Sequence, residues 1–124
     1  MTIRVKPSKY RAKPVVIDGI RFASQKEGRR YQELKLLEKA GEVSKLQLQP
    51  RFQLCAPRGM ELVRYDADDN STMYVIGEYR ADFGYWDRRE RAYLVEDVKG
   101  FKTPLYKWKR KHVMAQYGIT IREV

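Results

Sequence analysis

The sequence predicts one mixed α/β domain, in which two helices flank a mixed sheet in the order helix, three strands, helix, strand. Two segments, 25–40 and 104–117, carry helix-capping residues at both ends. Between and after them lie segments rich in aromatic and β-branched residues, which favour strands. A chain of 124 residues can bury one modest core, so we expect no second domain.

The N-terminal segment is predicted to precede the folded domain. Residues 1–14 are basic, contain proline and lack acids, so we expect a flexible arm ahead of a domain that spans 15–124. Two short apolar runs around Asp18 and Gly19 then indicate a hairpin, because this dipeptide favours a tight turn.

The first helix has the clearest limits. Ser24 is a good N-cap, Glu27 follows three residues later as in a capping box, and Gly41 is a good terminator. The side chains expected to face the sheet are Tyr31, Leu34, Leu37 and Ala40.

The strands are predicted from composition and turn residues. Residues 47–57 form an extended segment broken at Pro50, and 71–86 are predicted as one long strand. A turn at 87–90 leads into a returning strand at 91–99, and 119–124 closes the chain as the last strand.

The second helix is predicted to begin after Thr103, with Pro104 in the first turn, and to stop at Gly118. Helical spacing predicts an inward stripe, which makes Trp108 a core residue and the lone histidine, His112, a packing residue. The members of that stripe are Leu105, Trp108, His112 and Ala115.

The net charge of +10 favours a polyanionic partner, usually a nucleic acid. Basic residues concentrate in two acid-free blocks, 1–14 and 99–111, although such blocks can also be solvated faces. Charge alone does not separate an enzyme from a binding module. The candidate DNA contacts are Lys102, Lys107, Lys109, Arg110, Lys111 and Gln49.

The lone cysteine and the absence of long apolar runs predict an intracellular, cytoplasmic protein. Cys55 has no partner for an internal disulfide and is expected to be a small core residue. No apolar run approaches the roughly 18–20 residues of a membrane helix, and the N-terminus lacks an apolar signal segment.

Two acids and a lysine at a strand end are the most unusual feature of the sequence. A hairpin with its turn at 87–90 places Asp82 opposite Val95 and diagonal to Asp97, with Lys99 on the same face. Glu96 then points to the other face, although a one-residue bulge would exchange it with Asp97.

Paired carboxylates repel unless a cation lies between them, and Mg²⁺ prefers oxygen ligands of this kind. Asp82 and Asp97 are therefore candidate metal ligands, and Lys99 can stabilise charge on a phosphate or position a water. Glu27 could supply a third oxygen or serve only as a helix cap. A simple surface ion pair between Asp97 and Lys99 is the alternative.

The residues Asp82 and Asp97-Val98-Lys99, within this order of elements, resemble the PD-(D/E)xK superfamily of restriction-endonuclease-like nucleases. The stretches FASQKEGRRYQELKLLEKAGEVSKLQLQPRF, YRADFGYW and VEDVKGFKTPLYKWKRK look like a phage and prophage family of the endonuclease I type. The likeness covers about residues 20–123, and Ala81 stands where the superfamily's namesake proline would be.

This resemblance implies a restriction-endonuclease-like fold with an α-β-β-β-α-β core and a Mg²⁺- or Mn²⁺-dependent endodeoxyribonuclease. It implies that Asp82 and Asp97 hold metal, that Lys99 is the catalytic lysine and that Glu27 is the acid of the first helix. Branched DNA, as in Holliday-junction resolution during phage recombination or replication, is the preferred substrate, and a homodimer would fit two cuts. The alternatives are a non-catalytic nucleic-acid-binding module that retains the fold, or a structural component of a particle.

Overall fold

A computed structural model describes residues 13–57 and 73–124. Within these ranges the chain forms an N-terminal hairpin, two helices and further strands, which lie both before and after residues 58–72. In chain order the elements are β1 Val15–Ile17, β2 Ile20–Phe22, α1 Gln25–Lys39, β3 Val43–Leu48, β4 Arg51–Pro57, β5 Met73–Arg80, β6 Phe83–Asp87, β7 Ala92–Asp97, α2 Pro104–Tyr117 and β8 Ile121–Glu123.

The main sheet is mixed. In the described part of the chain its strand order is β3-β6-β7-β8, with β7 and β8 parallel and the other neighbours antiparallel. Strands β4 and β5 form a separate antiparallel pair, and β1 and β2 form the predicted hairpin. The predicted fold class, mixed α/β with two helices and a short N-terminal hairpin, is therefore confirmed. The helices described here are too short or too polar to cross a membrane.

The helix limits agree with the caps that predict them. The Ser24 side chain accepts a hydrogen bond from the Glu27 amide, and Gly41 adopts a φ of 80° just past the C-cap, Ala40. Thr103 caps α2 in the same way, and Gly118 ends it with a φ of 65°. The proposed arm falls mostly on residues 1–12, which lie outside the described residues.

The prediction of one long strand over 71–86 is wrong. The chain leaves β5 at Arg80 and enters β6 at Phe83, and the two strands belong to different sheets. At the break, the Ala81 amide donates to the Pro50 carbonyl while the Asp82 amide donates to the Glu96 carbonyl. Between the helices the described residues therefore form five strands instead of three.

The predicted register is also wrong, by two residues. Phe83 pairs with Glu96 and Gly84 with Val95, so Asp82 lies opposite Asp97 and not opposite Val95. Because side chains alternate along a strand, a shift of two leaves Asp82 and Asp97 on the same face. The shift improves their contact, since a diagonal pair becomes a direct one.

The two helices cover opposite sides of the sheet. Tyr31 and Leu34 of α1 pack with Phe83, Tyr85 and Leu94 on one side. Val113 of α2 packs on the other side, in a core with Leu54, Tyr79, Ala81, Val95 and Ile121. At the C-terminal end of α1, the predicted inward residues Leu37 and Ala40 are exposed.

The inward stripe predicted for α2 is wrong. Leu105 and Trp108 are 59% and 60% exposed, whereas Val113 is fully buried and Tyr106 is half-buried. The helix is rotated by one residue from the predicted orientation, so that Tyr106 and Val113 face the core. These two residues are seven apart and therefore also lie on one side of a helix. His112 is a packing residue, as predicted: its Nε2 donates to the Cys55 carbonyl at 2.8 Å.

Glu96 has a structural role on the α1 side of β7. Its buried carboxylate accepts hydrogen bonds from Arg30 Nε at 2.7 Å and Arg30 Nη2 at 2.6 Å. The Tyr85 hydroxyl donates to the same carboxylate. Bidentate pairing of this kind fully compensates the charge of Glu96, so this acid does not need a metal ion.

Replacing Arg30 with methionine should lower the free energy of unfolding by about 3 kcal/mol, because it leaves a buried carboxylate without its cation. Urea denaturation followed by circular dichroism measures the change. Arg29→Met is the matched control, since Arg29 is exposed on the same helix and should cost less than about 0.5 kcal/mol. Equal losses in the two variants would contradict this role of Glu96.

Candidate active site

A cleft of about 750 Å³ opens where β5 gives way to β6. One wall is the start of α1, from Ala23 to Glu27, and the other is the segment from Val98 to Thr103 that joins β7 to α2. Asp82 and Lys99 also line this cleft. The topology thus brings the N-terminal end of a helix and the ends of two strands to one place.

The side chains of Asp82 and Asp97 are hydrogen-bonded to the backbone on each other's side. The Asp82 amide donates to Asp97 Oδ1 at 3.2 Å, and the Val98 amide donates to Asp82 Oδ2 at 2.7 Å. Asp97 is fully buried and Asp82 is partly exposed toward the cleft. Each carboxylate therefore accepts a hydrogen bond from the backbone at or next to the other aspartate, so the two side chains lie at the same end of the sheet, as the sequence predicts.

Among the described residues, Lys99 is the cation that forms an ion pair with Asp97. Its Nζ lies 3.9 Å from Asp97 Oδ1 and 4.3 Å from the centre of the Tyr106 ring. The ion pair and the cation–π contact hold the ammonium group between Asp97 and the Tyr106 ring. Lys99 also lines the cleft, so the same group can face a ligand there.

Glu27 takes part in the helix cap and also lines the cleft. Its backbone amide is capped by Ser24, while its buried carboxyl lines the cleft with Asp82. Burial, and next the charge of Asp82, raise the pKa of Glu27 to about 7. A nearby cation would reverse this effect, because it would favour the ionised form.

Burial raises the pKa of the two aspartates as well. Burial raises the pKa of Asp97 to about 6, against the lowering effect of Lys99. Burial also raises the pKa of Asp82, against the hydrogen bond from the Val98 amide. Burial therefore raises the pKa of three carboxyl groups, those of Glu27, Asp82 and Asp97. Clusters of groups with shifted pKa values are frequent at functional sites.

The donor set fits a hard divalent cation. Asp97 Oδ2 is buried and has no hydrogen-bond partner in the described part of the chain, which is unusual for a carboxylate oxygen. Carboxylate oxygens are the ligands that Mg²⁺ prefers, and one or two of them suffice when water completes the shell. Within residues 13–57 and 73–124, however, no three His, Cys, Asp or Glu side chains are already arranged as a metal-binding group.

The candidate DNA contacts separate into two groups. Three of these basic side chains are engaged within the protein: Lys102 Nζ lies 3.2 Å from Glu123 Oε2, Arg110 bonds to Glu123 and the Ile121 carbonyl, and Lys109 donates to the Glu78 carbonyl. Lys107 and Lys111 are exposed and have no acidic partner among the described residues.

Gln49 borders the site through its backbone. Its amide donates to the Asp82 carbonyl at 2.9 Å, and its side chain is exposed. Gln49 adopts a φ of 52° at the turn between β3 and β4. It thereby helps to fix the break at which Asp82 lies.

Two basic residues of the cleft were not predicted from the sequence to lie there. Lys13 and Lys26 line it together with Lys99. Lys13 belongs to the basic N-terminal block, and Lys26 immediately precedes Glu27 in the first turn of α1. The position next to Glu27 could have indicated Lys26 before the fold was known.

The chain was compared with curated proteins and with solved structures, and neither comparison gave a significant match. A scan against family models matches residues 7–122 to the model described as "Protein of unknown function (DUF1064)". The match spans nearly the whole chain, including both walls of the cleft, both aspartates and Lys99. The chain therefore belongs to the DUF1064 family.

Proposed function

We propose that this chain is a divalent-metal-dependent endodeoxyribonuclease that hydrolyses DNA phosphodiester bonds. One observation carries the proposal: Asp82 and Asp97 are bonded to each other's strands beside Lys99, and a buried oxygen of Asp97 lacks a partner in the described structure. A simple surface ion pair between Lys99 and an aspartate would require neither the full burial of Asp97 nor a second aspartate, Asp82, beside it. The net charge of +10 supports a polyanionic substrate.

In the proposed reaction Asp82 and Asp97 would hold Mg²⁺ or Mn²⁺, and Glu27 would supply a third oxygen. The ion, when bound, would lower the pKa of a water and neutralise charge on the phosphate. Lys99 donates to a phosphate oxygen or holds the attacking water, since its ammonium is fixed between Asp97 and Tyr106. Lys13 and Lys26 attract the DNA backbone to the cleft.

The resemblance to PD-(D/E)xK nucleases and to the endonuclease I type of phage protein supports the same proposal. It favours branched DNA of phage recombination or replication as the substrate, in the host cytoplasm. A homodimer would supply the second cut that a junction requires.

A non-catalytic DNA-binding module is the second candidate. It is favoured by the finding that no three acids of the described residues form a ready metal group. Against it stands the pair of acids itself, because clustered negative charge near a DNA-facing surface weakens binding unless a cation neutralises it.

Incubation with supercoiled plasmid separates the two candidates. We expect nicked and linear products with Mg²⁺ or Mn²⁺ and none with EDTA. Equal signals under both conditions would overturn the nuclease proposal and leave the binding module. A panel of linear, gapped and four-way-junction DNAs of equal length then identifies the preferred substrate.

A further inference from the structure

The exposed side of α2 carries apolar side chains that the sheet does not cover. Leu105 and Trp108 of α2 are 59% and 60% exposed, and Phe101, three residues before the helix begins, is 55% exposed. Leu105 and Trp108 cannot turn inward, because Tyr106 and Val113 already occupy the side of the helix that packs on the core. Trp108 is the most exposed of the three, and its described ring contact is an edge contact with His112 at 6.1 Å between ring centres.

This apolar strip is continuous with the cleft. Phe101 lines the cleft beside Lys99. Leu105 lines a smaller depression of about 220 Å³, to which Lys99 and Thr103 also contribute. Trp108 follows Leu105 by three residues and so lies on the same side of the helix, one turn further from the cleft.

The basic residues beside the strip indicate what kind of partner it binds. Lys107 and Lys111 flank Trp108, are exposed, and have no acidic partner among the described residues. Residues 99–111 contain no acid at all. A partner must therefore combine negative charge with flat apolar surfaces that can lie on an indole ring.

We propose that Phe101, Leu105 and Trp108 form a stacking surface for unpaired bases, so that the substrate is DNA with unpaired nucleotides beside the cleft. This inference rests on the proposed function and narrows its substrate. Unpaired bases expose π faces that stack on aromatic side chains, while Lys107 and Lys111 meet the adjoining phosphates. A continuous duplex offers phosphates to the lysines but hides its base faces from Trp108.

The test is equilibrium binding in EDTA, where no metal-dependent cleavage can occur. The probes are an oligothymidylate, a duplex with a short single-stranded gap, and an intact duplex of the same length. Trp108→Ala should weaken binding to the first two probes by about tenfold or more and binding to the intact duplex by less than about twofold. Trp108→Phe should restore most of the loss, because a phenyl ring also stacks.

Fluorescence gives an independent readout. The chain has two tryptophans, so Trp86→Phe leaves Trp108 as the single indole. Oligothymidylate should quench that emission at saturation. Leu36→Ala is the control for loss of an exposed apolar side chain, since Leu36 is 69% exposed on α1 and should not alter binding.

The inference would be overturned if Trp108→Ala weakened binding to all three probes equally, or if it weakened binding to none of them. A change in oligomeric mass with unchanged DNA binding would also overturn it, because the strip would then be a contact between copies. Since the measurement needs no cleavage, failure of the nuclease proposal would leave a positive result standing. Plasmid cleavage by Trp108→Ala together with unchanged binding to gapped DNA would reject this inference alone.

Discussion

Replacing Asp97 with asparagine is expected to abolish metal-dependent cleavage while stabilising the metal-free protein. Removal of a residue that only orients a metal ligand lowers metal affinity or activity by about 10–100-fold. Loss of a ligand itself should therefore lower kcat/KM by at least about 100-fold. DNA binding should be retained or tightened, because one negative charge beside the DNA is gone. Plasmid nicking and filter binding measure the two effects.

The stabilisation follows from the sign of the pKa change. The folded-state pKa of Asp97 is about 6, above its ordinary 3.8, so folding favours the protonated form. The stability associated with that proton is complete below pH 3.8 and is lost as pH rises through about 6. Asparagine is neutral at every pH, so the variant should gain about 1 kcal/mol at neutral pH, or about 4 °C in Tm.

Metal binding supplies a readout that is separate from activity. A cation that binds only the folded state raises Tm with its concentration. We expect Mg²⁺ or Mn²⁺ to raise the Tm of the unaltered chain and to leave that of Asp97→Asn almost unchanged. An equal rise in both proteins would contradict the assignment of Asp97 as a ligand.

Glu96→Gln is the matched control for Asp97→Asn on the neighbouring residue. It removes a buried charge that Arg30 and Tyr85 already compensate, so it should lower stability. At a temperature where it remains folded, the variant should still cleave with metal. Cleavage that survives in Asp97→Asn and disappears in Glu96→Gln would show that the wrong acid was assigned.

Lys99→Met is expected to produce the second large loss. An electrostatic donor aimed at a reacting phosphate contributes about 100- to 1,000-fold to kcat, and methionine keeps the length of the side chain without its charge. The rise in Tm with metal should persist, because both aspartates remain. Single-turnover cleavage at saturating DNA measures the change in kcat apart from KM.

The stability of Lys99→Met should change in the opposite direction to that of Asp97→Asn. Lys99 Nζ lies 3.9 Å from Oδ1 of buried Asp97, so removal of this cation leaves the carboxylate less compensated. Lys39→Met is the control, since Lys39 is exposed at the far end of α1. Full cleavage by Lys99→Met would reduce Lys99 to a structural partner of Asp97.

The limits of the helices could be predicted from the sequence because caps act locally. Ser24 and Thr103 bond amides three residues ahead, and Gly41 and Gly118 accept positive φ values that end a helix. None of these effects depends on what packs nearby. They therefore hold whatever the rest of the fold does.

The grouping of Asp82, Asp97 and Lys99 could also be predicted, for a different reason. Side chains alternate with a period of two along strands, so a register error of two residues preserves the face. The break in the chain at Asp82 could not be predicted, because it depends on Pro50 and Gln49 from a distant part of the sequence. That break gives Asp82 its bond to the Val98 amide.

The sequence by itself determined the fold class, the helix ends and the common face of the acids and the lysine, since these follow from local capping and strand periodicity. Only the tertiary structure decided which side of α2 faces the core. Two stripes, one with Leu105 and Trp108 and the other with Tyr106 and Val113, have equally good helical spacing. The contacts of Val113 with Val95 and Ile121 select the second stripe, and this packing leaves Trp108 exposed.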